Sequence, residues 1–106
     1  EKEKPIEEFI NIIEKVNNLA ITNNSKLYFI FLPNLERYKF NRKKDENKII
    51  KKILNDLKIS YIDIDKEVFQ KENNKLKLFP FEFEAHYTIE GYHKVANSIH
   101  EIVSIK

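Results

Sequence analysis

The chain has 106 residues, the length of one small domain. Its 42% hydrophobic content, with eight Phe and five Tyr, is sufficient for a core and excludes a disordered or collagen-like chain. The charged fraction is 34% but the net charge is only +2, which gives no global reason to expect a nucleic-acid or anionic-membrane partner. The absence of Cys excludes disulfides and thiolate metal sites, and no apolar run approaches the roughly 20 residues of a membrane span.

Two residue types are unusually rare. The chain contains no Met and begins with EKEKP, so we interpret it as a processed product or a fragment. Gly occurs once, at position 91, against a typical usage of about 7%. Because phosphate-binding and most oxyanion loops need Gly where the backbone approaches a ligand closely, we expect no such loop in these residues.

The first half of the chain predicts a helix followed by a buried strand. Pro5 suits a first helical turn, and a loop at residues 22–25 ends the helix. Its apolar residues recur at helical spacing: Ile6, Phe9, Ile10, Ile13, Val16 and Ala20. Residues 26–32 form a nearly continuous apolar run stopped by Pro33, which predicts a strand buried on both faces. The loop at residues 33–35 follows its carboxyl end, where ligands bind in open α/β sheets.

The rest of the chain predicts three more helices, a second strand and a long loop. Residues 37–44 are a basic connector, and Asp45 is predicted to cap a helix with an apolar stripe at Ile49, Ile50, Ile53, Leu54 and Leu57. Residues 59–64 predict a strand, after which Asp65 is expected to cap a short helix containing Val68 and Phe69. Residues 71–85 are predicted as a loop. Thr88 is predicted to cap the last helix, whose apolar face is Ile89, Tyr92, Val95, Ala96, Ile99, Ile102 and Val103.

This alternation of elements predicts a parallel sheet with helices on both faces. Two strands do not make a stable sheet of that kind alone. We therefore expect the partner of this chain to be a missing N-terminal half or a second copy. Until that partner is present, apolar surface should be exposed at a strand edge or a sheet face.

The stretch at residues 79–96, FPFEFEAHYTIEGYHKVA, is where chemistry is expected. His86 lies two residues before the predicted cap Thr88, in a short loop anchored to a packed helix, which is the positioning that a general base needs. Glu84 and Glu82 lie two and four residues upstream. A neighbouring carboxylate can fix the tautomer of a histidine and stabilise the imidazolium. In an extended segment these two Glu side chains point the same way.

This stretch resembles the final motif block of the SGNH (GDSL-like) hydrolases, in which an acid and a His precede an N-x-x-G-[HY]-x-x-[VL]-A helix. The positions that match are His86, Gly91, Tyr92, Val95 and Ala96. The element order is similar as well, over roughly residues 6–103, and the nearest likeness is to bacterial members that act on acyl groups of carbohydrates. The resemblance implies a partial three-layer α/β/α, flavodoxin-like fold, with residues 1–106 as the C-terminal portion of one SGNH-type domain.

The resemblance also implies an activity, namely hydrolysis or transfer of an O-linked acyl group, with an acylated carbohydrate as candidate substrate and no cofactor or metal. It implies His86 as the catalytic base, Glu84 as its acid and Glu82 as the alternative acid. The commoner family pattern D-x-x-H differs, because Phe83 stands at the acid position, and Thr88 stands where Asn is frequent. The Gly-Asp-Ser block, the oxyanion Gly and the Asn block are missing, and no Ser here has a nucleophile-like context. We therefore expect the nucleophile in the missing N-terminal half.

Other interpretations stay open for individual residues. His86 as a structural loop histidine bonded to a carbonyl is the alternative to a catalytic role, and a solvated carboxylate is the alternative for Glu84. The other two histidines, at positions 93 and 100, lie off the apolar stripe and are expected to face solvent. Asp63 and Asp65 fit strand-end and cap roles better than a metal site.

Other functions also stay open for the whole chain. The alternative to an ester hydrolase is a non-catalytic fragment or degenerate relative that acts as a binding or assembly module. Residues 36–58 contain nine Lys or Arg against four Asp or Glu, an excess that suits phosphate or anionic lipid. The solvated face of an amphipathic helix explains that excess better, so we expect no nucleic-acid partner.

Overall fold

The computed structural model describes residues 3–40 and 47–104. Two strands lie in this part of the chain, β1 (Tyr28–Phe31) and β2 (Ser60–Asp63), with three 3-10 turns at Phe69–Lys71, Lys75–Leu78 and Pro80–Glu82. The helices are α1 (Glu3–Thr22), α2 (Leu35–Lys39), α3 (Lys48–Asp56), α4 (Ile64–Glu67) and α5 (Ile89–Ser104).

The two strands pair in parallel to form a two-stranded sheet. The predicted mixture of helices with a parallel sheet is confirmed. The predicted burial of the first strand on both faces is wrong for most of its length, because only Phe31 is buried and Leu32 is 59% exposed. In a sheet of two strands each strand is an edge, and each therefore has a neighbour on one side only.

The chain divides into two compact units, and the division runs through both strands. The first unit comprises Glu1–Phe29 and Glu46–Tyr61. Its interior contains Ile13 of α1 and Leu54 of α3, which are 7% and 0% exposed. Phe9 packs edge-to-face on Phe29, with ring centres 5.9 Å apart. These contacts bury one side of α1 against the start of β1.

Apolar side chains of α1 that flank this packed face are exposed. Ile12, Leu19 and Ile21 are 61%, 65% and 62% exposed. This exposed apolar surface lies on a helix, whereas the expectation placed it at a strand edge or a sheet face. Leu32, which follows the last residue of β1, is also exposed. No helix in residues 3–40 or 47–104 is both long and apolar enough to cross a membrane.

The second unit comprises Ile30–Asp45 and Ile62–Lys106, and its core is aromatic. Phe69 and Phe79 are 0% and 1% exposed, and their rings lie 5.6 Å apart. Tyr38 stacks on Phe69 at 5.0 Å, and Tyr87 lies 5.4 Å from both phenylalanines. Full burial of each such ring stabilises the fold by about 1.5–3 kcal/mol. The segment predicted as a loop at residues 71–85 therefore contributes Phe79 to the core, from between two of its 3-10 turns.

Helix α5 begins as the sequence predicts. The Thr88 hydroxyl accepts a hydrogen bond from the Gly91 amide at 3.0 Å, so the cap is confirmed. A Cβ at position 91 would lie 3.0 Å from both the Leu78 carbonyl oxygen and the Tyr87 Cβ, so a larger residue would have to displace these neighbours by a few tenths of an ångström. The face through Gly91 and Val95 is buried, and Ile89 is 91% exposed. Tyr92 and Ala96 are exposed as well, so the prediction is wrong for these three members of the apolar face.

The caps of the shorter helices differ from the prediction. Asp45 lies outside the described residues, and Asn47 occupies the N-cap position of α3. Asp63, not Asp65, caps α4, because its Oδ1 accepts a hydrogen bond from the Asp65 amide at 3.1 Å. Helix α4 ends at Glu67, so Val68 and Phe69, which were predicted to belong to it, lie outside it. The described part of the predicted basic connector is mostly helical, since it forms α2 under an Asn34 cap.

Candidate functional site

The candidate site lies within the second unit, where both strands end. The loop at residues 33–34 and helix α2 follow β1, and helix α4 follows β2 directly. The carboxyl ends of parallel strands share one edge of a sheet, which is the edge where α/β proteins bind ligands. The polar groups on these two connections are therefore the candidates for ligand binding.

Asp65 joins the two connections through a cluster of hydrogen bonds, which we call the Asp65 cluster. The Arg37 guanidinium donates to its Oδ2 at 3.2 Å, and the Gln70 amide donates to its Oδ1 at 2.9 Å. The Tyr38 hydroxyl also donates to Oδ1. Asp65 is only 7% exposed, so these partners satisfy a carboxylate that water barely reaches. The cluster holds α2 against α4 and fixes the geometry of the edge.

Tyr38 is a firmly protonated donor in the Asp65 cluster. Burial raises the pKa of its hydroxyl well above the ordinary value, because a phenolate would lose its water. The hydrogen bond to the negative Asp65 raises the pKa further, since a phenolate could not donate to that carboxylate. Tyr38 therefore serves as a structural hydrogen-bond donor and stays protonated near neutral pH.

Tyr87 fixes the histidine segment at the same edge. Its hydroxyl donates to the Pro33 carbonyl oxygen at 2.6 Å, and its side chain is buried. Burial raises the pKa of this hydroxyl above its ordinary value. The next residue is fixed as well, because the Thr88 amide donates to the Leu78 carbonyl at 2.8 Å. The chain position adjacent to His86 is thereby tied to the loop after β1.

His86 itself is exposed at the surface of this anchored segment. Its Nδ1 lies 3.2 Å from the carbonyl oxygen of Tyr87. Because Tyr87 reaches Pro33, the segment that contains His86 meets the loop after β1. The exposed ring is accessible to a reacting group.

The two predicted acids are not brought to the histidine. Glu82 Oε2 accepts a hydrogen bond from the Asn74 amide at 3.3 Å, and Glu84 is exposed. In residues 3–40 and 47–104, no hydrogen bond or ion pair joins His86 to either acid. The pairing of His86 with Glu84 or Glu82 that the resemblance implies is therefore not seen among the described residues.

The physical reason lies in the backbone at residues 81–82. Phe81 and Glu82 have φ angles of 55° and 57°, in the left-handed region that non-Gly residues rarely adopt. The segment is a turn rather than an extended strand, and the Glu84 amide bonds to the Pro80 carbonyl at 3.0 Å. The alternation that would point Glu82 and Glu84 the same way therefore does not apply. The turn also leaves Phe81 93% exposed.

An ion network ties the 3-10 turns to α5. Glu72 accepts from Lys94 and lies 3.2 Å from Lys77 Nζ. Glu90 lies 3.4 Å from Lys94 and 3.8 Å from Lys77. The hydrogen bond from Lys94 holds the pKa of Glu72 below its usual value, and the same bond raises the pKa of Lys94. The network anchors residues 72–77 to the helix that follows His86.

The remaining candidates are the other two histidines and the two aspartates at positions 63 and 65. His93 and His100 are exposed on α5, which confirms the solvent-facing prediction. Within the described ranges, no three His, Asp or Glu side chains gather as metal ligands. Asp63 acts as a cap, and Asp65 is occupied by its three partners.

Sequence reasoning missed the Asp65 cluster and the Tyr87 anchor. Asp65 was interpreted as a cap, and Arg37 and Tyr38 as part of a connector. A signal was available, because Asp65 follows one strand and Arg37 follows the other, and parallel strands end at one edge. Tyr87 lay next to the histidine, and buried tyrosines usually find a hydrogen-bond partner for the hydroxyl.

Comparison with known proteins identifies no relative of the chain. No protein-family model, no curated protein and no solved structure matches the chain.

Proposed function

We propose that these residues are the C-terminal portion of an SGNH-type ester hydrolase or O-acyl transferase, with His86 as the catalytic base. The observation that supports this most strongly is the anchoring of the His86 segment at the carboxyl end of β1 through Tyr87 and Pro33. The Thr88 cap and the packed Gly91 support it as well, because they give physical roles to positions of the motif that the sequence resembles.

The proposed chemistry is acyl transfer through a serine supplied by a preceding part of the domain. His86 removes the proton of the serine hydroxyl as its oxygen attacks the ester carbonyl, and the C–O bond to the leaving alcohol breaks as His86 returns the proton to that alcohol. Water or an acceptor hydroxyl then gives its proton to His86 as its oxygen attacks the acyl carbonyl of the acyl-enzyme. The C–O bond between the acyl group and the serine breaks, and His86 returns the proton to the serine oxygen. The exposed imidazole suits this role, because the serine, the leaving group and the acceptor must all reach it.

The proposed substrate class is an O-acylated carbohydrate, in keeping with the members that the sequence resembles most. Glu84, with Glu82 as the alternative, is the proposed source of negative charge near the imidazolium. Neither carboxylate contacts His86 in the described residues, so this part of the proposal requires the loop at residues 82–86 to close when substrate binds.

The proposal is tested on the complete gene product that contains these residues. Release of acetate from an acetylated oligosaccharide should fall by about 10²–10⁴-fold in His86→Ala, because that is the usual contribution of a general base. His93→Ala is the matched control, since this exposed histidine lies outside the anchored segment. Equal activity in the His86 and His93 variants would contradict the assignment.

A binding or assembly role is the second candidate. It is favoured by the exposed apolar side of α1, where Ile12 and Leu19 are 61% and 65% exposed. Under this hypothesis the chain associates through α1, and Ile12→Glu with Leu19→Glu reduces the associated fraction in sedimentation velocity. A concentration-independent monomer, unchanged by these substitutions, would count against it.

A further inference from the structure

We infer that the neutral imidazole of His86 is oriented by the main-chain carbonyl of Tyr87, which makes Tyr87 a positioning residue. The catalytic meaning of this inference rests on the proposed function above. The observation is the distance of 3.2 Å between His86 Nδ1 and the Tyr87 carbonyl oxygen. A carbonyl oxygen has no proton to give, so Nδ1 must carry the proton. A neutral imidazole has one N–H, and Nε2 is therefore left with the lone pair that a base needs.

The carbonyl is a rigid acceptor because its residue is held from several directions. The Tyr87 hydroxyl donates to the Pro33 carbonyl at 2.6 Å. The ring lies 5.4 Å from both Phe69 and Phe79 in the core. The amide on the far side of the Tyr87 carbonyl, that of Thr88, donates to the Leu78 carbonyl at 2.8 Å. A group fixed in this way orients a side chain more precisely than a mobile loop carboxylate does.

The two nearby carboxylates are unsuited to orient the resting ring. Glu82 is engaged by Asn74 at 3.3 Å and lies on a left-handed turn, and Glu84 is exposed. Their proposed role is to stabilise the positive charge of the imidazolium. The tautomer of the neutral ring is assigned to the carbonyl of Tyr87.

Long-range proton–nitrogen NMR on the 106-residue chain tests the inference without any enzymatic activity. At a pH at which histidine side chains are neutral, the nitrogen shifts report which ring nitrogen carries the proton. We expect most of His86 to hold its proton on Nδ1. His93 and His100 are exposed internal references and should show the tautomer mixture of a solvated imidazole.

Substitutions then identify the orienting group. Tyr87→Phe keeps the buried ring and removes the bond to Pro33, so the His86 tautomer should shift toward that of the two references. Glu82→Gln and Glu84→Gln should leave it unchanged.

Three outcomes would overturn the inference. The first is a tautomer ratio of wild-type His86 equal to that of the two reference histidines. The others are a ratio that Tyr87→Phe leaves unchanged, or one that Glu84→Gln changes as much as Tyr87→Phe does. The first comparison needs no variant, so it stands even if a substitution disturbs folding. Failure of the proposed acyl chemistry in the complete gene product would leave the tautomer result intact, so the two failures are distinguishable.

Discussion

Removal of the Asp65 carboxylate tests how the edge of the sheet is held together. Asp65→Ala leaves the Arg37 guanidinium, the Tyr38 hydroxyl and the Gln70 amide without their shared acceptor. The side chains of Asp65 and Arg37 are 9% and 18% exposed, so the guanidinium regains little water when its partner is lost. Breaking a buried pair by removing one partner costs about 3–5 kcal/mol. We expect a loss of about 3 kcal/mol, since Arg37 retains some solvent.

The matched control is Asp56→Ala, which removes an equivalent carboxylate from Lys52 on the surface of α3. That pair spans 3.1 Å, but its side chains are 79% and 65% exposed, so its loss should cost about 0.5 kcal/mol or less. Urea unfolding followed by circular dichroism gives both free energies. With about 4–8 °C per kcal/mol for a domain of this size, the Asp65 variant should melt roughly 12–24 °C lower.

A double substitution separates the cost of the buried charge from the loss of the attraction. Replacing the charged pair together, with Asp65→Leu and Arg37→Met, should recover much of the stability, because the main cost is an uncompensated buried charge rather than a lost attraction. The account of the Asp65 cluster is refuted if Asp65→Ala costs no more than Asp56→Ala.

Three further predictions follow from the described contacts. Burial raises the pKa of Tyr38 in the folded state, so stability should be fully present below pH of about 10 and fall as pH rises beyond it, more steeply than in Tyr38→Phe. Lys94 holds the pKa of Glu72 below its ordinary value, so stability should fall as pH drops below about 4.3, and Lys94→Met should flatten that fall in acid titrations. Gly91→Ala should lower the free energy of unfolding by about 1 kcal/mol. The cost of overpacking, about 1–3 kcal/mol, outweighs a gain in helix propensity of about 1 kcal/mol. A stabilised variant would contradict the close approach of Leu78 and Tyr87 to position 91.

Local patterns predicted the elements and one of the caps. The period of the apolar residues in α1 and α5 and the continuous apolar run of β1 were sufficient to place these elements within a few residues. Thr88 was predicted correctly because a cap depends on residues within one helical turn. These features need no knowledge of distant contacts.

The rest depended on contacts that sequence order does not reveal. Asp65 meets Arg37 and Tyr38 from 28 and 27 residues away, so its role as a shared acceptor was invisible in a local pattern. The left-handed turn at Phe81 and Glu82 contains no Gly, and nothing in its composition indicated it. That turn is the reason why the predicted carboxylate contact with His86 is missing.

Covalent labelling with a fluorophosphonate probe tests the central claim most directly, because such probes report a serine activated by a histidine base. The complete gene product should be labelled in the wild type and in His93→Ala, and labelling should be lost in His86→Ala. Residues 1–106 alone should not be labelled, since none of their serines has a nucleophile-like context. Absence of labelling in the complete wild-type protein, or equal labelling in the His86→Ala variant, would contradict the proposal that His86 is the base of a serine ester hydrolase or acyl transferase.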